Sequence, residues 1–323
     1  MLRPLLDRRL VVVTGKGGVG KSTVSAALAL LAARAGKRVL VCEVNTQERV
    51  APLLGASPAG TSARQARPGI HTVVVTPAQA LREYGLMVVK LQAVYDAVFE
   101  NRLVRHFLRM VPSLGELVMI GKILHEARAE AGGRPRWDLV VVDAPSTGHA
   151  VQLLRVPGAM LGTVPPGPLR SDAVWMHDLL VDPARTALVM VTLPEEMPVT
   201  ETIELDEAVR DQAGLTPAAL VVNAMPERRF DGAEAARLAA LAGAPPPLGP
   251  AAQASHLQAA RAAAAEAELG RLRAALDLPT TVLPLLAAPW WGPSEVAALA
   301  DALGRPRPGE PAWAPEGLPG GRA

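Results

Sequence analysis

Short β-branched runs, several of them continuous rather than alternating, recur along this 323-residue chain at 10–14, 38–43, 70–76, 138–143, 187–193, 218–223 and 280–285. A strand with one wet face alternates apolar and polar residues. A continuous run marks a strand covered on both faces, as in a parallel sheet with helices on either side. Helical periodicity fills the stretches between the runs. The pattern predicts an α/β fold, a doubly wound, mainly parallel sheet.

Two segments interrupt the alternation. Residues 77–130 predict a helical insertion, and the Ala-rich residues 230–276, broken at Pro245, Pro246 and Pro247, a second helical addition. Residues 1–304 read as a single domain, and the Pro/Gly-rich residues 305–323 as a disordered tail. Within the insertion, Leu81, Tyr84, Val88, Leu91, Tyr95 and Val98 recur at helical spacing. Met87, Val94, Phe99, Leu103, Phe107 and Met110 widen the stripe, which resumes at Leu114, Leu117, Val118, Ile120, Ile123 and Leu124. Such a stripe serves an apolar client, a partner chain or the protein's own core, and spacing alone does not choose. His106 and His125 read as polar groups at its rim.

The chemistry sits just after the first run. Gly15-Lys16-Gly17-Gly18-Val19-Gly20-Lys21-Ser22-Thr23 lies between the predicted strand at 10–14 and a predicted helix over 24–35. Glycines let backbone N–H groups and a helix N-terminus close on phosphate. Lys21 is spaced to reach the β- and γ-phosphates, and the Ser22 hydroxyl to hold Mg²⁺. This is the phosphate-binding loop of a P-loop NTPase, with ATP and Mg²⁺ as the expected ligands.

Composition narrows the setting. A net charge of +2, with no Lys/Arg block, gives nucleic acid no footprint. The longest apolar windows are too short to span a bilayer, and residues 1–9 lead into the first strand without a signal-peptide core. The one cysteine, Cys42, excludes an intrachain disulfide or a multi-cysteine metal site. A cytoplasmic protein is expected.

Lys16, directly after the first glycine, resembles the signature lysine of deviant Walker A ATPases. In those proteins it crosses a dimer interface to the partner's nucleotide, adding charge as an arginine finger does. Asp143-Ala144-Pro145-Ser146-Thr147-Gly148-His149 follows the aliphatic run at 139–142. It resembles the D-T-A-P-T-G-H element of the ArsA-like family, the arsenite-pump and tail-anchored-protein-targeting ATPases, in the D-A-P-x-T-G form of bacterial relatives of the targeting ATPase. Asp143, at the C-terminal end of that predicted strand and opposite the phosphate loop, is placed to hold the Mg²⁺ shell or orient water, and the resemblance adds further residues. It makes Asn223 an adenine contact and Pro284 part of the adenine-side segment, ahead of Trp290 and Trp291. Pro112 to Glu116 resemble the family's proline-led helix start, and Leu193 to Thr202 its nucleotide-sensing loop.

One departure stands out. The family's first switch reads D-P-A-H, its aspartate positioning the attacking water; here that position is Asn45. Glu43 or Glu48 could take over as proton acceptor, or could serve only as strand end and cap. Arg64 and Arg67 read as a solvated loop. A lone strand cysteine argues against a thiolate site for As(III), a zinc-bridged CxxC and a nitrogenase-type cluster.

The resemblance implies a Mg²⁺-dependent, dimeric ATP-hydrolysing switch, homomeric or paired with a related ATPase. It would couple nucleotide state to an apolar helix client or membrane-protein partner. A regulatory subunit with impaired hydrolysis, favoured by Asn45, is the alternative. A surface-positioning ATPase of the chromosome or septum type would need a basic patch or C-terminal amphipathic helix, and neither is seen.

Overall fold

The computed structural model describes residues 3–89 and 113–305. The stripe's residues between 90 and 112, and the tail beyond 305, lie outside the described residues. Strands β1 (Leu10–Thr14), β2 (Val39–Val44), β3 (Arg64–Arg67), β4 (Ile70–Val75), β7 (Leu139–Asp143), β8 (Thr186–Thr192), β9 (Pro217–Met225) and β10 (Thr280–Pro284) form one sheet. Its order is β10-β9-β8-β1-β7-β2-β4-β3. Every neighbouring pair is parallel except β3 with β4. Strands β5 (Glu130–Ala131) and β6 (Arg134–Pro135) make a separate small hairpin.

Successive side chains of a strand point to opposite faces, and both faces here are covered. Val11, Val13, Val141 and Val189 lie in one apolar cluster with helix α1 (Lys21–Arg34) and the last described helix, Pro293–Gly304. Leu10, Val12, Val140, Val142 and Met190 lie in the other. There they meet helices α4 (Leu114–Arg128), α5 (Thr147–Leu161) and α7 (Glu196–Ala213), with α6 (Pro168–Val181) alongside. Two-sided burial is why the strands read as unbroken aliphatic runs.

Between β2 and β3 lies the short α2 (Val50–Leu53), and α3 (Pro77–Val89) follows β4. The second helical addition is the pair α8 (Gly232–Leu241) and α9 (Leu248–Ala275). In α4, Val118, Met119, Ile120, Ile123 and Leu124 are buried in the sheet-covering cluster. That half of the apolar stripe is core, while Tyr84 on α3 is exposed.

Two local expectations are corrected. Arg64 and Arg67 belong to edge strand β3, and Arg67 Nε donates to Leu54 O at 2.8 Å. β9 continues past residue 223 to Met225, where Met225 O accepts from Leu285 N. No helix among the described residues is long and apolar enough to cross a membrane.

Candidate functional site

The loops that follow β1, β2 and β7 emerge at the same edge of the sheet, because parallel strands end together. Between them opens a cleft of about 940 Å³ lined by Gly17, Gly18, Gly20, Lys21, Ser22 and Thr23 on one side. Asn45, Glu48 and Arg49 line it after β2, and Asp143 and His149 at and after the end of β7. Glu116 and Met119 from α4 and Trp291 complete the wall.

The phosphate loop is shaped by two close approaches. Gly15, at φ +148°, passes so near Val191 O that a Cβ would collide with it. Gly20, at φ +93°, caps α1 in the left-handed region, and a Cβ there would strike Asn223 Nδ2. Only glycine combines that backbone with that proximity. Asn223 Nδ2 donates to Val19 O at 2.9 Å, tying the end of β9 to the loop. Buried Val19 anchors the loop from beneath.

Lys21 Nζ donates to Gly15 O at 3.1 Å and Lys16 O at 3.0 Å, so its ammonium lies within the curve of the loop. Burial lowers its pKa, the Asp143 charge raises it, and Arg49 lowers it again. Ser22 Oγ donates to Asp143 Oδ2 at 2.6 Å, and Ser25 Oγ to Oδ1 at 3.4 Å. Burial pushes the Asp143 carboxyl up, opposed by the Ser22 bond, the Lys21 charge and the Ser25 bond.

A hard-oxygen pair, hydroxyl and carboxylate, beside a cationic loop suits Mg²⁺ brought in with a polyphosphate. Among the described residues there is no cluster of three or more His, Cys, Asp or Glu side chains suited to a metal by itself. A cation here would therefore take most of its ligands from nucleotide and water, as Mg²⁺ does.

Asn45 follows β2 with φ +48°, its N–H donating to Val75 O at 2.8 Å, and its side chain faces the cleft. Glu43 is turned away. Its Oε1 accepts from Arg49 N at 2.6 Å and Val50 N at 3.0 Å, and burial raises its carboxyl to about 7. Glu48 spends both oxygens on backbone, accepting from Ala59 N at 2.5 Å and Gly60 N at 2.9 Å. Each carboxylate thus holds the loop after β2 in shape. Lys16 leaves the cleft wall to bond Glu201 on α7.

The remaining sequence-predicted residues divide. Thr23 lines the cleft, but Pro284 does not; it stands exposed on β10, paired in register with Met225. Trp291 reaches the cleft from the same segment. Sequence reasoning passed over Arg49, Glu116, His149 and Trp291 as cleft residues. Glu116 and His149 lay in stretches noticed for other reasons, whereas Arg49 carried no signal beyond standing four residues after Asn45. Cys42 is buried in β2, where burial pushes its thiol far above its ordinary value.

Comparison with known proteins gives a consistent picture. The family described as anion-transporting ATPase matches residues 8–164. The ATPase BagA of Mycobacterium tuberculosis is 33% identical over 223 residues, covering 67% of this chain and 64% of that protein. The arsenical pump-driving ATPase of Acidiphilium multivorum is 27% identical over 235 residues, or 65% of this chain and 38% of that protein. The chain thus spans less than two thirds of the length of either relative.

Proposed function

The chain belongs to the ArsA-like family of anion-transporting ATPases, and from that premise we propose that it is a Mg²⁺-dependent ATP-hydrolysing switch that works as a dimer. The observation that carries the reading is the Ser22–Asp143 contact of 2.6 Å beside the half-buried Lys21 ammonium. Phosphoryl transfer asks for positioned charge more than for covalent chemistry, and this is a place prepared for it.

In this reading Lys21 binds the β- and γ-phosphate oxygens, releasing the loop carbonyls it now holds. Ser22 and Asp143 hold Mg²⁺, which when bound neutralises charge on those phosphates. Asn45 orients the attacking water through its amide. Asn223 keeps the loop curved from behind. Lys16 crosses to the nucleotide of a second subunit, either identical or a related ATPase. ATP then favours the closed dimer because it binds that state better, and hydrolysis releases it. The partner served by the switch is an apolar helix or a membrane protein, met in the cytoplasm.

A second reading rests on Asn45 itself. An amide cannot accept the water's proton, so a nucleotide-binding regulatory subunit paired with an active relative fits the same site. Turnover of the isolated chain separates the two. An ATP-dependent dimer with measurable hydrolysis, both lost in Lys21→Ala, supports the switch. ATP binding without turnover supports the regulatory subunit, and no ATP binding at all overturns both.

A further inference from the structure

We infer that Arg49 is a built-in γ-phosphate receptor, an arginine supplied by the chain's own loop after β2 to grip the terminal phosphate of ATP. The inference rests on the ATP-binding reading and deepens it.

Arg49 lines the same cleft as Lys21, Ser22 and Asp143. Its charge is felt at both functional groups, lowering the pKa of Lys21 and that of Asp143. Arg49 thus shares one cleft with the groups that would meet a phosphate, its side chain exposed there. Yet among the described residues it has no hydrogen-bond or ion-pair partner, although other arginines of the chain, such as Arg9, Arg38, Arg170 and Arg210, are engaged. An anion cradled by the phosphate loop beside Lys21 would meet the Arg49 charge from the facing loop of the same cleft.

The backbone beneath Arg49 is fixed. Arg49 N donates to Oε1 of Glu43, whose own carboxylate is buried on the central strand β2, and Arg49 caps α2. The side chain thus swings from an anchored point. The position four residues earlier is Asn45, so the loop offers no carboxylate there to neutralise the arginine. Glu48, the adjacent acid, spends both oxygens on Ala59 and Gly60. A free planar fork beside a phosphate loop matches the two oxygens of a phosphoryl group, and the bidentate, charge-assisted bond is among the stronger kinds available to a side chain.

The added charge also bears on the reaction. As water adds to the γ-phosphorus, the bond from that phosphorus to the β–γ bridging oxygen breaks, ADP leaves with the electron pair, and the water's proton passes to an oxygen of the departing phosphate and on to solvent. Charge spreads over the three outer oxygens of the phosphoryl group, where Arg49 would sit. Asn45 and Arg49 are then complementary features of one loop. One withdraws a proton acceptor, and the other adds a cation that holds the triphosphate.

The test is the ratio of ATP to ADP affinity, measured by displacement of a fluorescent nucleotide in the presence of Mg²⁺. A slowly hydrolysed ATP analogue serves as the triphosphate. Arg49→Ala keeps the backbone N–H on which the loop depends, so its fold is expected to persist, and ADP affinity reports on that directly. The expected result is a loss of at least about tenfold in triphosphate affinity, the size of a charge-assisted bond, with ADP affinity within about twofold of wild type. Arg49→Lys should recover only part of the loss, because it restores charge without the fork. An unchanged ATP:ADP ratio in Arg49→Ala overturns the proposal, as does an equal loss for both nucleotides. Failure of the wild-type protein to bind either nucleotide would overturn the ATPase reading itself, a separate outcome visible before any variant is made.

Discussion

Lys16 Nζ and Glu201 Oε1 stand 2.5 Å apart within one chain, joining the phosphate loop to α7 across 185 residues of sequence. If Lys16 serves a second subunit's nucleotide, it must first leave Glu201. Both side chains are about one-third exposed or less, and a pair of this kind is worth about 1 kcal/mol or less. Glu201→Gln should therefore tighten ATP-dependent dimerisation modestly, by no more than about fivefold. Lys16→Ala should keep ATP affinity near wild type while losing dimerisation and turnover. Analytical ultracentrifugation with and without Mg²⁺-ATP reads both; a Lys16→Ala protein that dimerises and hydrolyses normally would remove the cross-interface role.

Asn45 limits hydrolysis in the switch reading. Its left-handed backbone, φ +48°, is one that aspartate also tolerates, so Asn45→Asp changes chemistry rather than fold. General-base help is commonly worth about a hundredfold. Because the dissociative reaction uses only part of that, a several-fold rise in turnover at unchanged ATP affinity is expected. In an Asp143→Ala background the gain should vanish. Steady-state phosphate release checks it, and an Asn45→Asp protein no faster than wild type counts against the assignment.

Glu43 makes stability depend on pH. Its carboxyl titrates near 7 in the fold, raised chiefly by burial, and near 4.5 when unfolded. Between those values the folded chain holds the proton more often than the unfolded one, so stability falls as pH rises through the window and levels off above it. Glu43→Gln, neutral throughout, should lack this contribution, which is on the order of 1–3 kcal/mol. Urea unfolding of both proteins without nucleotide at pH 5 and pH 8 provides the comparison. Parallel pH dependence in the two would show that Glu43 does not titrate in this range.

Arsenite or antimonite should leave ATP turnover unchanged. Soft As(III) needs several thiolates, and Cys42 is both solitary and enclosed in β2. Stimulation by either metalloid that is abolished in Cys42→Ser would point instead to a thiol shared between subunits.

Most of the sheet was legible because its strands are buried on both faces. β1 occupies the predicted 10–14, and the other buried strands begin or end within one or two residues of expectation. β3 escaped because an edge strand of exposed polar residues has no aliphatic run to betray it. Gly15 to Thr23 and Asp143 announced the phosphate site through local spacing. Arg49, Glu116 and Trp291 did not, because nothing in a local window says which distant loops share a cleft. The fates of Glu43 and Glu48 were equally hidden. Each turns on a backbone N–H several residues ahead, which spacing cannot aim.

The position of β1 bears on the order in which the molecule can be made. Its two neighbours are β7 and β8, and its loop is tied by Asn223 to a carbonyl 204 residues earlier. During synthesis the first strand leaves the ribosome long before either neighbour exists. A growing chain at residue 164 carries the whole family-matched segment, yet β1 still has one open edge and the loop has no clamp. Exposed strand edges on nascent chains are where misassembly starts. The Asn223 clamp on the phosphate loop can therefore form only after β9 has been translated and added to the sheet.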